Sequence, residues 1–94
     1  MSTPAPNAET LTAQTTDRIG ELRSEIDDCD ARLIELVRRR LAISQEIGSL
    51  RTAAGGMRLN LSREQQVLAR FEAALGPDGA PLALMLLRQG RGRL

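Results

Sequence analysis

LVRRRLAISQEIGSLR, residues 36–51, sets an arginine where a regular apolar stripe calls for a leucine. Working outward from Arg40, residues Ile19, Leu22, Ile26, Cys29, Leu33 and Leu36 precede it at alternating steps of three and four, and Ile43, Ile47 and Leu50 follow it. That period puts them all on one face of a helix. A guanidinium in such a seam costs several kcal/mol, roughly, unless it is paired or bound to something. Arg40 therefore calls for an anion, although a polar residue that fixes helix register would leave the same mark.

The pattern sets the organisation of the chain. TTDRIGEL offers Thr16 or Asp17 as an N-cap, and the period runs from there to Ala53 or Ala54, where Gly55-Gly56 ends it. About 37 residues at 1.5 Å each make a helix of roughly 55 Å. Residues 1–15, rich in Thr, Ala and Pro, are expected to be a disordered N-terminal arm ahead of a helical domain over 16–94. In NLSREQQVLARFEAAL, Ser62 with Gln65 reads as a capping box, and Val67, Leu68, Phe71 and Leu75 form the apolar face of a second helix. GPDG breaks it. Asp78 or Gly79 then opens a short third helix through PLALMLLRQ, apolar nearly all round and hence expected to be buried, before GRGRL leaves a flexible basic tail from about residue 89.

The fold class is all-α, with one long and two short helices per chain. The short helices together span only roughly 40 Å and cannot sheath the long one. A second copy can, so the expectation is an intertwined homodimer whose long helices cross or lie antiparallel. A core with one Phe, no Trp and no Tyr is aliphatic and thin, which also favours sharing it between copies.

Thirteen basic residues, all Arg, against twelve acidic ones give a net charge of +1, so the chain as a whole has no bias toward nucleic acid or acidic membranes. Any anion site must be local. With no His and a lone cysteine, Cys29, the sequence builds no zinc or haem site, no disulfide framework and no His-dependent nucleophile. Cys29 on the stripe is expected to act as a small buried hydrophobe. The first residues lack a basic start and an apolar run, and no stretch approaches 18 apolar residues, so the expected location is cytoplasmic, with no membrane span.

Arg40 and Arg51 are eleven residues apart, a net rotation of only about 20°, so they share a face with backbones about 16 Å apart. Two outstretched guanidinium groups there can close on a ligand about the size of a sugar. Arg23 lies ~25 Å before Arg40 and is rotated by about 100°, out of reach within its own helix. In an antiparallel dimer the partner subunit's Arg23 could reach it. Arg63 and Glu64 occupy the first turn of the second helix, where unpaired N–H groups favour anions, and Asn60 and Met57 lie in the approach. Four arginines and one Glu, with no nucleophile, metal or redox group, can grip a small polyanion and place charge around it. Taken singly, Arg23 and Arg63 also suit solvated surfaces, Glu64 a favourable first-turn carboxylate, and Ser62 a simple cap.

Arg23, Arg40 and Arg51 on one long helix, followed by SREQQVL, then GPDG with LLRQGRGRL, resemble the all-helical, AroQ-type chorismate mutases of the short subclass, over about residues 17 to 94. The resemblance implies a dimer of three-helix chains with two sites, each completed by the first helix of the other chain. It implies that Arg40 and the partner subunit's Arg23 hold the two carboxylates of chorismate, that Arg51 hydrogen-bonds the ether oxygen, that Arg63 lines the site and that Glu64 accepts the ring hydroxyl. Asn60 falls where other members place an Asp or an apolar residue facing that hydroxyl. Arg91 stands where relatives have a Gln from the last helix at the ether oxygen.

The implied reaction is the intramolecular Claisen rearrangement of chorismate to prephenate in phenylalanine and tyrosine biosynthesis, which needs no cofactor. The short subclass is activated by binding a DAHP synthase, the first enzyme of the shikimate pathway. Ordering of a loose tail by that partner, moving Arg91 and Leu94 into place and so setting Arg51, is the expected physical route. Two other classes remain open at this point: an isochorismate-pyruvate lyase-like enzyme, and a non-catalytic helical interaction module. A nucleic-acid-binding dimer would need steeply salt-dependent binding, and the net charge argues against it.

Overall fold

The computed structural model describes residues 7–56 and 59–92. All elements among them are helices, α1 (Ala8–Ala53), α2 (Leu61–Leu75) and α3 (Gly79–Arg91). The chain divides into two compact units, Met1–Ile34 and Glu35–Leu94, so α1 begins in one and ends in the other.

In the first unit the helix starts at Ala8, not at Thr16 or Asp17. Asn7 explains the early start, because its Oδ1 accepts from the amide of Thr10 at 2.8 Å and from the Thr10 hydroxyl at 2.9 Å. The hydroxyls of Thr12 and Thr16 donate to the carbonyls of Ala8 and Thr12, which satisfies within the helix the polar groups that made this stretch look unstructured. The expected disordered arm is thus corrected from residue 8 onward, and residues 1–6 lie outside the described residues. Ile19, Leu22, Ile26 and Leu33 are exposed in the single chain. Cys29 is exposed with them, contrary to the expected burial, because it stands on that same uncovered face.

The second unit packs the end of α1 with α2 and α3. The amide of Gly55 donates to Thr52 O at 3.0 Å and that of Gly56 to Arg51 O at 2.7 Å, with Gly55 at φ +79. This is a Schellman stop, which requires the left-handed residue that glycine supplies. A small core joins Val67 of α2 to Ala83 and Leu87 of α3, with Leu68 and Phe71 packed against it. Gly79 makes the tight α2–α3 join possible, since a Cβ there would run into the carbonyl of Phe71.

Two expectations about the third helix need correction. Only its face bearing Gly79, Ala83, Leu87 and Gly90 is buried, while Leu82 and Met85 are exposed, as is Leu75 at the end of α2. One neighbouring helix face cannot cover an element that is apolar all round. The basic tail does not begin near residue 89 either, because α3 continues through Arg91 and Gly90 is buried. Gly90 is a packing contact: a Cβ at that position would sit 2.7 Å from Ser44 Oγ of α1. The absence of a side chain lets the last turn of α3 seat on α1.

Candidate active site

On α1 the sequence sets Arg40, Ser44, Gly48 and Arg51 at successive steps of four, four and three, one helical face with a cation at each end and small residues between. A Cβ on Gly48 would meet nothing within 4 Å, so the wall between the two arginines is low and open. The start of α2 supplies Asn60, Arg63 and Glu64, and the last turn of α3 supplies Gly90 and Arg91. Together they enclose a cavity of about 520 Å³, the size of a small-molecule site. Among the described residues four guanidinium groups and one carboxylate line it, an excess of positive charge.

Arg40 carries the strongest signal. Its Nη1 is buried and, among the described residues, has no hydrogen-bond partner. A buried donor on a cation is costly to leave unpaired, so this nitrogen is suited to donate to an anion. Arg51 is half-buried in the last turn of α1, where the helix dipole favours a cation, and its own carbonyl is tied into the Schellman stop. Glu64 Oε2 lies 3.3 Å from Arg91 Nε, with the two side chains only 15% and 20% exposed, and the same Nε also reaches Leu87 O at 3.4 Å.

The residues anticipated from sequence separate into three groups. Arg40, Arg51, Asn60, Arg63 and Glu64 come together on this one cavity. Arg23 is an exposed residue of the first unit, and the cavity of the second unit is lined without it. Met57 and Leu94 lie outside the described residues. Arg91 is not in a loose tail but in the final turn of α3, paired with Glu64.

Asn60 proves to be the N-cap of α2, its Oδ1 accepting from the amide of Arg63 at 3.0 Å, in place of the Ser62–Gln65 box expected from sequence. By closing the first turn, it fixes the backbone that carries Arg63 and Glu64. Asn60→Ala should therefore cost about 1 kcal/mol of stability, read by chemical denaturation, since the capped amide loses its acceptor. A midpoint unchanged from the parent would refute the cap. Sequence reasoning missed Ser44, Gly48 and Gly90. The first two were legible as small residues at helical spacing between two arginines, whereas Gly90 looked like a helix breaker.

Helices, a compact cavity and a surplus of guanidinium groups around a lone carboxylate define a small-anion-binding helical protein whose chemistry is positional and electrostatic. The family model for chorismate mutase type II matches residues 22–86, and the chain belongs to that family. It is 51% identical over 90 residues to the intracellular chorismate mutase of Mycobacterium tuberculosis, covering 96% of this chain and 85% of that protein. It is 49% identical over 83 residues to the intracellular chorismate mutase of Mycolicibacterium smegmatis, covering 88% and 80%. Among solved structures it is similar, with a TM-score of 0.83 and 40% identity over 86% of this chain and 98% of that one, to a non-covalent complex of DAHP synthase and chorismate mutase from Corynebacterium glutamicum with a bound transition state analog.

Proposed function

We propose that this chain is a chorismate mutase that rearranges chorismate to prephenate, with the cavity of the second unit as its active site. The observation that carries this reading is the buried, unpartnered Nη1 of Arg40 in a cavity with excess positive charge. It fits the carboxylate of a small dianion. The reaction is unimolecular: a carbon–oxygen bond breaks as a carbon–carbon bond forms, and neither a proton nor a covalent intermediate is required. The site then has two jobs. Arg40 and the partner subunit's Arg23 hold the two carboxylates, with Arg63 lining the site, so that the enolpyruvyl arm stays folded over the ring, which is the orientation term. Arg51 faces the ether oxygen and stabilises the negative charge that grows there, while Glu64 accepts the ring hydroxyl.

The working form is a homodimer in which the partner subunit's Arg23 completes each site. Its support is the apolar stripe of α1, with Leu36 60% and Leu50 65% exposed in the single chain. Burying each such side chain contributes about 1.5–3 kcal/mol. The complex formed by the Corynebacterium glutamicum relative supports a DAHP synthase as the activating partner. Since Arg91 is already seated in α3, that partner acts on a site whose Glu64–Arg91 pair is in place. Among the described residues no helix is long and apolar enough to cross a membrane, and the named relatives are intracellular, which supports a cytoplasmic enzyme.

The test is to mix the purified chain with chorismate, follow its loss and the appearance of prephenate, and repeat with a DAHP synthase present. Conversion to prephenate that rises when the synthase is added is the expected result. Inertness toward chorismate with and without the synthase would overturn the reading. Release of pyruvate from isochorismate under the same conditions would replace it with the lyase.

A further inference from the structure

Among the described residues Glu64 is the one carboxylate in a cavity otherwise charged by guanidinium groups, and an entering dianion would be repelled by it. That repulsion needs an answer within the site. Arg91 lies 3.3 Å from Glu64 Oε2, and both side chains are largely withdrawn from water, unlike the surface pairs Arg18–Glu21 and Arg38–Glu35, whose side chains are 62–74% exposed. Screening is weaker for the withdrawn pair, so its charges act on one another more strongly. The Nε of Arg91 is also tied to Leu87 O, and Gly90 seats the whole turn on Ser44. The guanidinium is thus held by its own helix and by Glu64 of α2, while the turn that carries it packs on α1.

We propose that Arg91 is a positioning residue for Glu64: its guanidinium cancels the charge of that carboxylate and engages Oε2, leaving Oε1 to accept the substrate's hydroxyl. This assignment rests on the chorismate mutase reading and deepens it. Arg91 thereby serves Glu64 and not the ether oxygen.

A double-mutant cycle on the full chain tests it, with Arg91→Met and Arg91→Lys made in the parent and in Glu64→Gln. Kinetics with chorismate give KM and kcat, and titration of each variant with prephenate by calorimetry gives an affinity even where turnover is too slow to follow. In the parent, Arg91→Met should raise KM and weaken prephenate binding by about tenfold, the scale of one lost charge partner in a site largely withdrawn from water. Arg91→Lys should recover part of that loss. In the Glu64→Gln background the same Arg91→Met change should alter affinity by less than about twofold, because no charge is left to cancel. Equal fold-changes in both backgrounds, or no effect in the parent, would overturn the assignment. A merely structural role would give the equal changes. A parent that does not convert chorismate overturns the functional reading and this inference with it, whereas a parent that converts it while the two sites behave additively overturns this inference alone.

Discussion

Arg40→Leu should abolish turnover of chorismate, by about a thousandfold, and at the same time raise the melting temperature. The two effects have opposite signs because they come from one atom. In the absence of substrate the buried Nη1 has no partner among the described residues, and such a donor costs about 1–3 kcal/mol. Leucine continues the apolar period of Leu36, Ile43 and Ile47 and removes that cost, which for a domain of this size moves the transition upward by several degrees. On the proposed reading the same nitrogen donates to a substrate carboxylate, and leucine offers nothing in its place. Thermal unfolding and a chorismate assay on one preparation check both halves. A variant that melts higher and retains more than a tenth of parent activity would show that Arg40 only fixes helix register.

The second large effect is expected at Arg51. Arg51→Ala should lower kcat by about 10²–10³, the scale seen when one donor to a developing oxyanion is removed, and should change stability far less. Charge on the ether oxygen is greater in the transition state than in bound chorismate, so a cation there accelerates the step and does not merely tighten binding. Its effect depends on the guanidinium being in place beforehand. The backbone that carries it is fixed by the Gly56 amide on Arg51 O, and the alanine variant keeps that bond, which is why folding should survive. A loss confined to KM with kcat intact would assign Arg51 to ground-state binding instead.

The helical period of α1 and its stop at Gly55 were legible because each is written in local chemistry, a three-four repeat and a glycine that can turn left-handed. The placing of Arg40 and Arg51 on one face followed from the same count, and both residues line the cavity. What could not be read was which of two equivalent signals wins. Asn60 and Ser62 both carry a cap acceptor two residues apart, and it is Asn60 that has the extended backbone of a cap, at φ −122 and ψ 97. Asn7 was overlooked for a similar reason, since the threonines after it disfavour a helix until their hydroxyls find carbonyls one turn back. Gly90 misled most. In sequence it marks the start of a loose tail, but in three dimensions it is the point where α3 touches Ser44, a contact between residues 46 positions apart that no local pattern records. The Glu64–Arg91 pair was hidden likewise, by a separation of 27 positions.

The two seals at the ends of the α1–α2 connection have an evolutionary corollary. One ends α1 at Gly55 and Gly56, the other starts α2 at Asn60, and each depends only on residues within its own turn. Additional residues spliced between Gly56 and Leu59 would cost little in closure entropy, about 0.6 kcal/mol for each doubling in length, and would leave Arg51 and Arg63 anchored where they are. Insertions there can therefore lengthen the connection without unseating the turn that carries either arginine.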